Sequence, residues 1–133
     1  MPQNPKSVCI IDDDSMYVNL VSKVIELKKL SEKIIVFNNG KEALDYFVKS
    51  AQKEEDKTVP QVIFLDLNMP VMDGWQFLQE FERIKDNLSK KIDVYVVSSS
   101  IDIRDINRAK SIALVSDYLT KPIQIDDFKK ILV

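Results

Sequence analysis

A chain of 133 residues, 45% hydrophobic and 30% charged, is sized and composed for one globular domain with a sizeable core. Its formal net charge of -2 supplies no basic field for nucleic acid phosphates. Histidine is absent and the two glycines, Gly40 and Gly74, lie far apart, which excludes imidazole triads, histidine metal sites, phosphohistidine carriers and glycine-rich phosphate cradles.

Met1 to Lys6 hold no apolar segment of the kind a secretory signal requires, and no apolar run reaches spanning length, so a cytoplasmic protein is expected. Val8-Cys9-Ile10-Ile11 predicts a short buried strand. Cys9, the single cysteine, has no partner for an internal disulfide and reads as a small buried hydrophobe. The run ends in Asp12-Asp13-Asp14, and the spacing of Tyr17, Leu20, Val21, Val24 and Leu27 predicts a helix with that stripe inward. Ile34 to Phe37 predicts a second strand, closed by the turn signal Asn38-Asn39-Gly40. Ala43, Leu44, Phe47, Val48 and Ala51 form a second helical stripe, and Gln52 to Thr58 reads as a frayed helix end and solvated loop.

The third run, Val62-Ile63-Phe64-Leu65, leads straight into Asp66-Leu67-Asn68-Met69-Pro70. A buried strand thus delivers a carboxylate at its end, and the proline forbids further regular strand. Met72-Asp73-Gly74 is a turn in which Asp73 suits the cap of a helix carrying Phe77, Leu78, Phe81, Ile84 and Leu88 inward. Val94 to Val97 predicts a fourth strand, ending in Ser98-Ser99-Ser100. A more polar helix follows around Ile103, Ile106, Ala109 and Ala113, then a brief strand from Asp117 to Leu119 and Thr120-Lys121-Pro122. Ile125, Phe128, Ile131 and Leu132 mark a last helix.

Strand and helix therefore alternate five times. Near-continuous apolar strands are covered on both faces, which predicts an α/β fold: a five-stranded parallel sheet, doubly wound as (βα)5. Right-handed crossovers leave few arrangements, of which strand order 2-1-3-4-5 is expected. Residues 1–133 are expected to form one domain, with its core at about 6–133 and no output domain attached.

Parallel strands end on one sheet edge, where ligands bind in open α/β sheets. Asp12 and Asp13 end strand one, Asp66 strand three, Ser98 strand four and Lys121 follows strand five. Singly, each has a plain role: an acidic run caps a helix, serines suit a turn, a lysine is a loop charge. Those roles do not account for their common edge. Three carboxylates brought together repel, and a cation relieves them. An oxygen-only set suits Mg²⁺, whereas zinc has no histidine and only one buried cysteine to bind. Asp66 is then a nucleophile for a phosphoryl group, with Lys121 and Ser98 available to its oxygens.

These residues resemble the receiver (CheY-like) domains of two-component response regulators over essentially the whole chain. Ile11-Asp12-Asp13-Asp14 is similar to the family's acidic pair, Leu65-Asp66-Leu67-Asn68-Met69-Pro70 to its phosphoacceptor segment, Val97-Ser98-Ser99 to its Thr/Ser-Ala step and Thr120-Lys121-Pro122 to its Lys-Pro signature. The resemblance implies the flavodoxin-like fold and the same 2-1-3-4-5 order, so that order is not an independent expectation. It implies Asp66 as phosphoacceptor and direct Mg²⁺ ligand, Asp13 as a second ligand, Asp12 acting through water and Asn68 lending its backbone carbonyl. It further implies Ser98, the Ser99 backbone N–H and Lys121 on the phosphoryl group. Ser98 and Tyr118 become the switch pair, and Asn68 and Ser100 set the phosphoryl lifetime. The family's Lys-Pro bond is commonly cis; the sequence leaves the isomer of Lys121-Pro122 open. Asp14 is read as a helix cap, not a ligand. Ser98 stands where Thr is more frequent and Ser99 where Ala is common.

The implied protein is a signalling switch, not an enzyme with external substrates, although it takes part in its own phosphorylation and dephosphorylation. Its implied partners are a sensor histidine kinase or phosphotransfer protein, and a downstream protein reading the fourth helix, fifth strand and fifth helix. No nucleic acid or membrane partner is expected. Three alternatives fit the residues less well. A haloacid-dehalogenase-type phosphohydrolase would need a second acid where Asn68 stands. A receiver acting only as an adaptor would have no use for the filled chemical positions. A flavin domain would meet the acidic loop after strand one, which repels a cofactor phosphate.

Overall fold

The computed structural model describes residues 6–31, 33–52, 59–88 and 91–132. The expected loop from Gln52 to Thr58 lies, beyond Gln52, outside the described residues. The elements are β1 (Val8–Ile11), α1 (Ser15–Leu27), β2 (Ile34–Phe37), α2 (Gly40–Ala51), β3 (Val62–Asp66), α3 (Gly74–Ile84), a 3₁₀ turn (Lys85–Asn87), β4 (Asp93–Ser98), α4 (Ile103–Lys110), β5 (Val115–Thr120) and α5 (Ile125–Leu132). All strand pairings are parallel and the order is β2-β1-β3-β4-β5. This is the doubly wound arrangement expected. Among the described residues no helix is long and apolar enough to cross a membrane.

Strand alternation divides the core. Val8 and Ile10 of β1, Val62 and Phe64 of β3 and Val97 of β4 face Val18, Val21 and Ile25 of α1 and Phe128, Ile131 and Leu132 of α5. Cys9, Ile11, Ile63, Leu65, Val94 and Val96 face the layer of α2, α3 and α4. That layer centres on Phe47, Phe77 and Phe81, all fully buried, with Phe47 and Phe81 edge to face at 5.1 Å and Phe77 and Phe81 stacked at 5.3 Å. Burying each such ring contributes roughly 1.5–3 kcal/mol. β1 and β3, central in the sheet, are buried at every position. This is why their sequences are apolar without alternation.

Four helices start at the C-terminal edge of the sheet with a side-chain cap. Asp14, Asn39, Asp73 and Asp102 accept from backbone N–H groups of α1, α2, α3 and α4. Asp14 is thus the cap it was read as. Asp73 completes a capping box, with the Gln76 side chain accepting from its N–H at 3.0 Å.

Several details differ from the sequence reading, Leu88 among them, since α3 ends at Ile84 and Leu88 lies beyond it. The buried stripe of α1 is Val18, Val21 and Ile25, whereas Leu20 and Leu27 are 63% and 80% exposed. The helix is apolar on more than one side, so periodicity alone did not fix its rotation. β5 runs from Val115, two residues ahead of the expected start at Asp117, because Ser116 is an exposed polar position of an edge strand. α4 ends at Lys110, so Ala113 lies beyond it, and Ile103 is exposed; only Ala109 is buried.

Candidate functional site

The register sets the site. Ile11 pairs with Leu65, Asp66 with Val97, and Ser98 with Thr120, so the residues following β1 and those ending β3, β4 and β5 reach the same edge. Among the described residues the buried polar or charged ones are Asp12, Ser50, Asp66 and Ser98, and three of those four belong to this edge. Buried carboxylates are costly unless paired, so their clustering marks chemistry more strongly than their sequence positions do.

Carboxylate oxygens of Asp12, Asp13 and Asp66 lie within 4.8 Å of one another, with Asp13 exposed at the mouth. The Asp14 N–H donates to Asp12 Oδ1 at 2.9 Å, fixing the acidic turn. Lys121 Nζ sits 2.8 Å from Asp12 Oδ2 and 3.9 Å from Asp66 Oδ1. It also lies 4.4 Å from the centre of the Tyr17 ring, a cation–π contact on a desolvated ammonium. Three acids face one ammonium.

That imbalance is visible in Asp66. Burial and then the charge of Asp12 push its carboxyl up to about 6, against the opposing influence of Lys121 and of the Asn68 backbone N–H; Asp13 adds to the upward push. Tyr17 is likewise raised by burial and by Asp12, Asp66 and Asp14. Excess negative charge on hard oxygens, one acid open to solvent, is a donor set that fits a hard divalent cation.

Ser98 is fully buried, and its Oγ accepts from the Ser100 N–H at 3.1 Å. Its carbonyl accepts from the Lys121 N–H at 2.9 Å, tying the lysine's backbone to the end of β4. Ser99 is exposed at the rim and Asn68 is exposed beside Asp66. Ser100 Oγ donates to Asp105 Oδ2 at 2.9 Å, and the Asp102 N–H donates to the same Oγ at 3.3 Å. Tyr118 is buried, its Oη donating to the Ser100 carbonyl at 2.7 Å. Asp12, Asp13, Asp66 and Lys121 are therefore brought together, and Ser98 leads from them through Ser100 to Tyr118. The Lys121–Pro122 peptide bond is cis.

Two participants escaped the sequence reading. Tyr17 packs on the core as its place on the α1 stripe predicts, and its ring also faces Lys121. Asp105, holding Ser100, looks in sequence like any acid in the first turn of a helix.

Comparison with known proteins agrees with this geometry. The sequence model described as "Response regulator receiver domain" matches residues 8–133. The chain is similar to the response regulator Rcp1 of Synechocystis sp., at 28% identity over 96% of this chain and 84% of Rcp1. A Mn²⁺-bound structure of Rcp1 superposes with a TM-score of 0.72 at 26% identity, covering 96% of this chain and 88% of that one. A two-component response regulator from Cytophaga hutchinsonii superposes with a TM-score of 0.83 at 26% identity, over 96% and 94% of the two chains. The phosphorylated cyanobacterial phytochrome response regulator RcpA gives 0.72 at 26% identity, over 95% and 87%. With five parallel strands in the order 2-1-3-4-5 and an acidic cluster at their C-terminal edge, the chain belongs to the response regulator receiver domains of two-component signalling.

Proposed function

We propose that Asp66 accepts a phosphoryl group from the phosphohistidine of a sensor kinase or phosphotransfer protein, and that the modification alters a partner-binding surface. The observation that carries this reading is the buried Asp66 carboxylate beside Asp12, Asp13 and Lys121. In the transfer a lone pair of an Asp66 oxygen forms the new O–P bond. The P–N bond of the donor breaks, and its electron pair stays on the imidazole nitrogen.

Asp13, Asp66 and the Asn68 carbonyl would hold Mg²⁺, with Asp12 acting through water. The bound ion supplies positive charge against the phosphoryl oxygens. Lys121 and the Ser98 hydroxyl are the groups assigned to those oxygens, with the Ser99 N–H beside them. Asn68 and Ser100 flank the approach of hydrolytic water and set the lifetime of the acyl phosphate. The Mn²⁺-bound and phosphorylated relatives support both parts of the reading.

Ser98 and Tyr118 are the switch pair. If Ser98 Oγ turns to the phosphoryl group, it gives up the Ser100 N–H that it now accepts. Ser100 carries both the Tyr118 and the Asp105 contacts, so the change reaches β5 and α4. A partner reading α4, β5 and α5 would detect it.

The test is incubation with acetyl phosphate and Mg²⁺ followed by intact-mass measurement. Wild type should gain one phosphoryl mass and Asp66→Asn none. An unmodified wild type, or an adduct retained by Asp66→Asn, removes Asp66 from the role.

A further inference from the structure

The chain has two glycines in 133 residues, and neither has a positive φ. Backbone conformation therefore does not explain them, which leaves close approach of another backbone. Both approach the same loop. A Cβ on Gly74, the first residue of α3, would lie 2.5 Å from the Asp66 carbonyl oxygen and 2.8 Å from Leu67 Cα. A Cβ on Gly40, the first residue of α2, would lie 2.8 Å from the Met72 carbonyl oxygen and 3.0 Å from Met72 Cγ. Their N–H groups donate to that loop as well, Gly74 to the Leu67 carbonyl and Gly40 to the Met72 carbonyl, each at 3.0 Å.

Between these two clamps the loop is strained. Val71 has φ 68, a left-handed conformation that a β-branched residue rarely adopts, while its side chain is 80% exposed. The Met72 N–H closes a tight turn onto the Pro70 carbonyl at 2.7 Å. Nothing about the Val71 side chain holds this conformation, so the surroundings must over-determine it. The surroundings include the two clamps and the packing of Met69 and Met72 on the core, and Asn68 lies between the residues the clamps grip.

We propose that Gly40, on a helix that contributes no group to the site, is a positioning residue for the Asn68 backbone carbonyl, and through it for the metal. The inference rests on the metal-binding reading given above. A methyl group at Gly40 displaces the Met72 carbonyl, the far end of the clamp opens, and the Asn68 carbonyl moves. Asp12 and Asp13 follow β1 and Asp66 ends β3, so the carboxylates stay in place. The signature is a site with its acids intact and its ion affinity reduced.

The experiment is Mg²⁺ titration of the full chain by calorimetry, beginning with wild type. If wild type binds no Mg²⁺, the metal reading itself fails, before any variant is made. If it binds, Gly40→Ala should weaken affinity about tenfold or more, the scale on which loss of outer contacts to metal ligands acts. Lys41→Ala, which alters the same helix turn on its exposed side, should leave affinity unchanged. Wild-type affinity in a folded Gly40→Ala protein overturns the proposal, because Gly40 then serves stability alone. Amide hydrogen exchange in wild type covers the case in which the variant does not fold. Mg²⁺ should slow exchange of the Gly40 amide together with that of Gly74, relative to the Lys28 amide at the end of α1. A Gly40 amide indifferent to Mg²⁺ overturns the proposal equally.

Discussion

Asp66 is held against its own charge, and this has a measurable thermodynamic consequence. Its carboxyl is raised from 3.8 to about 6 by burial and by Asp12. That rise corresponds to roughly 3 kcal/mol between the two protonation states. The sign follows from proton binding: between 3.8 and about 6 the native state holds a proton that the unfolded state has released. Stability therefore falls as pH rises through that window, and the full penalty is present above it. Asp66→Asn removes the charge and keeps the shape, so in EDTA at pH 7.5 the variant should be more stable than wild type by about 2 kcal/mol, allowing for solvent at the mouth of the site. The advantage should shrink as pH falls below about 6, and shrink also when Mg²⁺ is added at pH 7.5, since an ion bound only to the native wild type stabilises it. Urea unfolding of both proteins at several pH values, with and without Mg²⁺, measures this directly. A variant no more stable than wild type at pH 7.5, or an advantage equal at every pH, would refute the electrostatic account of the cluster.

Two further outcomes are expected. Burial raises the Cys9 thiol well above its ordinary range and seals it within β1, so it should not react with a thiol-titrating disulfide reagent until the protein unfolds; rapid reaction of the native protein would show that the β1 core opens. Phe81→Ala removes a fully buried ring that touches Phe47 and Phe77 and should cost about 3–5 kcal/mol, with a loss under 1 kcal/mol showing that α3 repacks.

The fold was legible where burial is two-sided. β1 and β3 write their position as unbroken apolar runs ending in acids, and the structure buries every residue of both. It was less legible where one face is wet. Leu20 and Leu27 belong to an apolar pattern yet point to solvent, because α1 offers alternative stripes and only packing on the sheet selects Val18, Val21 and Ile25. Ser116 hid the start of β5, since an edge strand tolerates polar residues. In the site, the side chains at strand ends were readable. Contacts made to carbonyl oxygens were not, because every residue has one: Tyr118 on Ser100, Gly40 on Met72. Nor does sequence reveal that Lys121 lies nearer Asp12 than Asp66.

The acids hang from two interior strands, β1 and β3, while the tyrosine sits on an edge strand, β5, next to a helix anchored by one interior alanine. On the proposed reading, substitutions along this edge alter which partner is bound and leave the acidic cluster intact.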